Sequence, residues 1–114
     1  MDETETRNAA LVREGLTAMA AGRLDDCMNL MRPDLIANLP GLSAPRVGSA
    51  AWREGAEAMR SAFPDLAIAI EDIFASGDRV AVRTAMSGTQ RGDFAGLPAT
   101  GRRIGIGSIE IYRM

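Results

Sequence analysis

The sequence predicts an α+β domain in which helices come first and a curved antiparallel sheet comes last. Three observations carry this. Residues 4–21 repeat apolar side chains at helical spacing. Residues 63–113 hold apolar, alternating runs punctuated by glycine-rich turns. No linker, repeat or low-complexity tract divides the 114 residues, so residues 1–114 read as one domain.

In order, the first helix is predicted over residues 4–21. Ala9, Val12, Leu16, Met19 and Ala20 fall on one face, and acidic residues at its start suit the helix dipole. Gly22 is the expected stop. A short helix over residues 23–31 carries Leu24, Met28 and Met31, and Pro33 ends it. Residues 33–38 read as a short strand. Residues 39–48, with Pro40, Gly41, Pro45 and Gly48, read as a loop. Ser49 is the expected N-cap of a third helix over residues 50–62, whose apolar stripe is Trp52, Ala56, Met59 and Phe63.

Two strands follow, over residues 66–75 and 79–90. Centring their turn on Gly77-Asp78 sets Asp72 opposite Arg83 and Glu71 opposite Thr84, a register favoured by facing opposite charges. One face then shows Ile68, Ile70, Asp72, Phe74 and Arg83, and the other Ile73, Val80, Val82, Thr84 and Met86. Both are largely apolar, so both need covering: one by the helices and a cavity, the other by a second subunit or further element. Residues 91–103 form a loop whose Phe94 and Leu97 are expected to cap a cavity or join a dimer contact. The last strand, residues 104–113, puts Ile104, Ile106, Ser108, Glu110 and Tyr112 on one face and Ile109, Ile111 and Arg113 on the other.

Composition narrows the chemistry. The net charge of −2 makes no electrostatic case for nucleic acid or an anionic membrane. All 13 basic residues are Arg, so no lysine offers a Schiff base, and there is no His to act as general base or metal ligand. The single Cys27 lies in an apolar helical pattern and reads as buried packing. An acidic start without an apolar core is no signal peptide, and the expected compartment is the cytoplasm.

Trp52 with Gly55, Phe63-Pro64-Asp65-Leu66, Gly77-Asp78-Arg79-Val80-Ala81-Val82-Arg83, Gly88-Thr89-Gln90-Arg91-Gly92, Gly96-Leu97-Pro98-Ala99-Thr100-Gly101-Arg102-Arg103 and Ile109-Glu110-Ile111-Tyr112-Arg113 resemble the SnoaL-like polyketide cyclases of the NTF2-like superfamily. The resemblance implies an NTF2-like cone: a curved sheet around an apolar pocket, closed by the N-terminal helices, and usually a homodimer. Family cyclases close a polyketide ester by an intramolecular aldol step, with no metal or organic cofactor, using an acidic side chain for the proton. The scaffold also hosts isomerases, hydrolases and binding modules.

The sequence departs from the family at three places. Relatives often carry His where Gln90 stands, and His near Asn38. They also continue past the Tyr-Arg pair into one more strand, the part that carries the family's assigned acid, whereas this sequence ends at Met114. The expectation is a sheet lacking that strand: a truncated family member, or one that takes the strand from a partner. Its uncovered edge invites strand exchange in a dimer. Ketosteroid isomerases on the same scaffold place a base Asp before a Pro; the matching stretch here, Asn38-Leu39-Pro40, has no carboxylate.

Glu110 and Asp72 are the candidate catalytic acids. Glu110 faces an apolar pocket, where a carboxylate can serve near neutral pH, or points outward to pair with an Arg. Asp72 and Arg83 reach a cavity, where Arg83 would meet an anionic ligand group, or form a cross-strand ion pair. Tyr112 donates to a developing enolate or packs as a strand aromatic. Trp52, Met59 and Phe63 line a pocket or belong to the core. Asn38 and Gln90 are pocket contacts or turn residues. The functional expectation is a cofactor-free cyclase or isomerase for a small apolar carbonyl compound, with a non-catalytic binding module as the alternative.

Overall fold

The computed structural model describes residues 1–114. Helix α1 spans Glu3–Ala20, α2 Leu24–Met28 and α3 Ser49–Ala62. Strands β1 (Ile36–Ala37) and β2 (Arg46–Val47) form a small hairpin, and β3 (Ala67–Ser76), β4 (Arg79–Thr89) and β5 (Arg103–Arg113) form the main antiparallel sheet in the order β3-β4-β5. The helices lie on one face of that sheet, α1 across β3 and β4. No helix is long and apolar enough to cross a membrane.

The acidic start of α1 is a capping box. Asp2 accepts from the Glu5 amide and Glu5 accepts from the Asp2 amide, each at 2.8 Å. The second Glu5 oxygen accepts from the Gly77 amide at 2.7 Å, tying the helix start to the β3–β4 turn. At the other end Gly22 takes a φ of +81°, and Arg23 donates to the Ala18 carbonyl while Gly22 donates to that of Met19. This Schellman arrangement needs the left-handed residue that glycine supplies. Arg60 of α3 completes it, donating to the Met19 and Ala20 carbonyls at 3.2 and 2.7 Å. These charge-assisted bonds staple α3 to the end of α1. Arg60→Ala is expected to cost about 1.5–3 kcal/mol in a denaturant melt; an unchanged midpoint would remove the staple from the account.

Three expectations about the middle of the chain change. The strand over residues 33–38 shrinks to β1, because only Ile36 and Ala37 find ladder partners, Val47 and Arg46. Those partners lie in the stretch read as pure loop. Ser49 begins α3 but does not cap it with its side chain: Gly48 is the N-cap, at φ +95°. The Gly48 and Ser49 amides instead donate to Leu35 and Pro33 carbonyls, which fixes the turn out of β2. The second helix also ends early, at Met28, and tightens into turn hydrogen bonds through Met31.

In the sheet, Asp72 faces Arg83 as expected, but Thr84 faces Ile70, not Glu71. Glu71 is the extra residue of a β-bulge. Because side chains alternate with period two, that one residue moves Ile68 and Ile70 off the face shared with Asp72 and Phe74. They join Ile73, Val80, Val82 and Met86 on the inner, helix-covered face. The bulge thus serves burial: without it two isoleucines would point to solvent. Gly77, at φ +60°, makes the two-residue turn.

The core has two parts. Ala9 and Val12 of α1 pack on Ala75, Val80 and Val82, with Leu16, Ile70, Ile73 and Tyr112 around them. Ala62, Phe63 and Leu66 form the second part with Met19, Met59, Met86 and Phe94. The sheet is not closed: β3 and β5 each pair only with β4.

Asp65 anchors the entry to β3. It accepts from the Thr89 amide at 2.7 Å and the Thr89 hydroxyl at 2.8 Å. These bonds, backbone first, hold its carboxyl below the ordinary range, and Arg103 adds to the effect. A carboxylate held low in the folded state stabilises fully above its unfolded value near ~4, and that contribution is lost as pH falls through the lower folded value. Denaturant melts of the protein should therefore weaken below about pH 4, and Asp65→Asn should flatten that slope. An identical slope in the variant would contradict the assignment.

Candidate functional site

The candidate site is the inner face of β5. Register places Tyr112 beside Val80, Glu110 beside Val82, Ser108 beside Thr84 and Ile106 beside Met86. Alternation turns all four β5 side chains, and Ile104, to the helix side. The strip is graded. At one end Ile104 and Ile106 are open to solvent; at the other Glu110 and Tyr112 are partly buried near α1 and α2.

The polar groups on this strip pair among themselves. The Tyr112 hydroxyl donates to Glu110 Oε1 at 2.9 Å, and the Thr84 and Ser108 hydroxyls share a hydrogen bond of 2.7 Å. Burial pushes the Tyr112 hydroxyl well above its ordinary range; the Glu110 carboxylate reinforces this, as does, more weakly, Cys27 of α2. Tyr112 therefore stays protonated and remains a donor at any physiological pH. Cys27 is a buried free thiol, as its apolar pattern predicts, and burial raises its own pKa. It packs beside Gly15, where a Cβ would meet the Cys27 Sγ at an ordinary contact distance of 3.9 Å.

Of the residues singled out in the sequence, the fold brings Glu110 and Tyr112 together and disperses the rest. The outward, Arg-paired reading of Glu110 is replaced by the bond to Tyr112. Asp72 lies on the outer face, across the sheet from Glu110, because it pairs with Arg83 in the row next to Phe74 and Ala81. Arg83 is its neighbour, yet the two exposed side chains form no ion pair. Met59 and Phe63 are core residues of the second cluster, and Trp52 lies half-buried on the same helix stripe. Asn38 is exposed beyond β1.

Gln90 is buried and fully employed. Its Nε2 donates to the Leu97 and Pro98 carbonyls at 3.5 and 3.3 Å, and its Oε1 accepts from Thr100 at 2.9 Å. It clamps residues 91–102 while Phe94 stacks edge-on against Phe63 at 5.6 Å. Leu97 remains exposed. Gln90→Ala should free this loop, speeding amide exchange at Gly101 while leaving β4 and β5 protected; equal protection in both proteins would exclude the clamp.

Sequence reasoning missed the Thr84–Ser108 pair, although carrying the hairpin register on to β5 would have revealed it. It also expected an enclosed pocket. A hollow of about 420 Å³ across Ala67–Ala69, Ala85–Ser87 and Gly105–Gly107 is an open depression rather than an enclosed cavity.

Residues 9–114 match the family model described as SnoaL-like polyketide cyclase. The chain belongs to that family. SnoaL-like folds also surround it among solved structures. A proposed SnoaL-like polyketide cyclase from Jannaschia sp. CCS1 superposes with a TM-score of 0.88 at 20% identity, over 100% of this chain and 81% of that one. AclR from Streptomyces galilaeus, a proposed hydroxylase, gives 0.82 at 29% identity, over 96% and 80%. IdmH from Streptomyces antibioticus, a proposed polyketide cyclase, gives 0.81 at 27%, over 94% and 82%. An epoxide hydrolase of M. tuberculosis shares the fold at 0.77 and 15% identity, over 97% and 75%. No curated protein sequence matches the chain. Neighbours described as a cyclase, a hydroxylase and an epoxide hydrolase leave the reaction to be argued from this SnoaL-like chain's own side chains.

Proposed function

We propose that this SnoaL-like protein binds a small apolar carbonyl compound along the inner face of β5 and catalyses an aldol-type ring closure by acid–base chemistry. The observation that carries the reading is the Tyr112–Glu110 hydrogen bond on a face whose other side chains are apolar apart from the Thr84–Ser108 hydroxyl pair. Ile104, Ile106 and Met86 supply apolar contact. Ionised Glu110 takes a proton from the carbon α to a carbonyl. The Tyr112 hydroxyl turns from Glu110 to the enolate oxygen as charge develops there. The enolate carbon attacks a second carbonyl of the same molecule, forming the new C–C bond, and the resulting alkoxide takes the proton back from Glu110. Nothing is consumed, and no further reagent is required.

A second reading is a non-catalytic binding module. It draws support from the scarcity of acids: with Asp72 on the outer face, Glu110 is the one carboxylate facing inward from the sheet. One comparison separates the readings. Binding of apolar ketones with turnover lost in Glu110→Gln favours the enzyme; equal binding and no turnover in either protein favours the module.

A further inference from the structure

The inner face of the main sheet holds a second polar pair besides Glu110 and Tyr112. The inward side chains of β4 include Val80, Val82, Thr84 and Met86, and among these Thr84 alone carries a hydroxyl. Thr84 is 2% exposed, with Ile70 on its β3 side and Ser108 on its β5 side. A valine would have nearly the same shape and no hydroxyl to desolvate, so this hydroxyl is held at a cost that only its hydrogen bond offsets. Its one partner is the Ser108 hydroxyl, at 2.7 Å, and no buried polar side-chain atom of the protein is left without a partner.

Which of the two donates follows from their surroundings. A hydroxyl has one hydrogen to give and two lone pairs to accept with. Were Ser108 the donor, the Thr84 hydrogen would be sealed among apolar neighbours with no acceptor, which carries the penalty of an unmade hydrogen bond. Thr84 therefore donates to Ser108. The hydrogen of Ser108, a residue only half-buried, is left free on the open side of the strip. Thr84 thus fixes the Ser108 oxygen and leaves its hydrogen for a ligand.

We propose that Ser108 donates this hydrogen to the acceptor carbonyl of the substrate. The inference rests on the ring-closing reading of Glu110 and Tyr112, and it gives that reading a substrate class: an open-chain dicarbonyl compound whose acceptor carbonyl carries the more apolar end. On β5, Glu110 lies between two hydroxyl donors, Tyr112 and Ser108, each one strand repeat of about 6.8 Å away. Tyr112 meets the enolate oxygen. Ser108 meets the oxygen to which the negative charge then moves. As the enolate carbon bonds to the acceptor carbon, the C=O electron pair passes to oxygen as an alkoxide. The Ser108 bond strengthens with that charge. The Glu110 proton goes to the alkoxide, and Ser108 keeps its own. Beyond Ser108 the strip continues as Ile106 and Ile104, both open to solvent, and the apolar substituent lies along them. Ser108 touches the substrate; Thr84 acts through Ser108 and is a positioning residue.

A diketone with phenyl at one end, methyl at the other and four methylenes between its carbonyls tests the proposal. Glu110→Gln protein should bind it without closing the ring. With the phenyl-bearing carbonyl isotopically labelled, its infrared band should move to lower frequency on binding, and adding Ser108→Ala should abolish the move. With Glu110 in place, Ser108→Ala should lower ring closure about 10²-fold, mostly in kcat, as loss of one oxyanion donor does. It should lower the opening of a benzisoxazole far less, because that proton abstraction has no acceptor carbonyl. Thr84→Val should lose part of the same factor in kcat at constant KM, and Thr84→Ser should restore it. A carbonyl band indifferent to Ser108→Ala overturns the proposal. So does a parental rate of closure in that variant, or an equal loss of both reactions, which would make Ser108 merely structural. A protein that opens the benzisoxazole but does not bind the diketone overturns the proposal and leaves Glu110 as the base. Undiminished closure in Glu110→Gln overturns instead the reading on which the proposal rests.

Discussion

Glu110→Gln should lower proton abstraction from a carbon acid by about 10²–10⁴-fold, the usual contribution of a positioned general base. The probe need not be the natural substrate. A chromogenic benzisoxazole asks only for a carboxylate base beside an apolar surface, and its opening releases a coloured phenolate. The amide of Gln still accepts from the Tyr112 hydroxyl, so circular dichroism and the denaturation midpoint should match the parent protein. Tyr112→Phe should lose about 10²-fold or less, because it removes a donor to the developing oxyanion and spares the base. The alkaline side of the pH profile carries separate information. Since burial and the neighbouring carboxylate raise the Tyr112 hydroxyl, its donor form persists beyond the ordinary tyrosine value near ~10. Activity should hold through that pH rather than fall with a second ionisation. Glu110→Gln protein with parental rates would remove this carboxylate from the chemistry.

The largest effect on stability is expected at Phe63. It ends α3, is buried among Ala62, Leu66, Met59 and Met86, and receives the edge of Phe94. Phe63→Ala should cost about 3–5 kcal/mol, through lost transfer energy and the cavity left among its neighbours. The neighbouring Arg91 and Gly92 amides both donate to the Ala62 carbonyl, so the start of the 91–102 loop is pinned against this corner. A domain of this size holds about 5–15 kcal/mol in all, so the variant should lose about a fifth or more of its stability. Urea denaturation gives the check: a lower midpoint with an unchanged slope. A loss under about 1 kcal/mol would show that the corner repacks and that Phe63 is a replaceable lining residue.

Long-range architecture was legible because it rests on periodicity and turn chemistry. Helix α1 follows from Ala9, Val12 and Leu16 at helical spacing, its end from Gly22, and the β3–β4 hairpin from Gly77 between two alternating runs. What escaped was decided by single residues. Glu71 bulges because the buried face gains Ile68 and Ile70, and no local preference in the sequence marks the insertion. Ser49 has the chemistry of a cap but follows Gly48, whose left-handed backbone turns the chain first. Strand β2 is two residues long, too short for alternation to register.

The candidate site was legible in part for the same reason. Glu110 and Tyr112 are two residues apart on a strand, so their shared face follows from alternation alone, while which face it is required the register with β4. Asp72 keeps its expected partner, Arg83, but that face is the outer one, because the bulge at Glu71 gives Ile68 and Ile70 to the helix side. Gln90 carried the pattern of a ligand contact, but its role is set by carbonyls seven and eight residues further on, which only a folded loop brings within reach.

The central claim is that the β5 strip around Glu110 and Tyr112 receives a carbonyl compound. A crystal structure with a flat phenol, a stable mimic of an enolate, tests it most directly. The account predicts the phenol oxygen within hydrogen-bond distance of Tyr112 or Glu110 and its ring against Met86 and Ile106. A phenol seated elsewhere, with the Tyr112–Glu110 bond undisturbed, would contradict it.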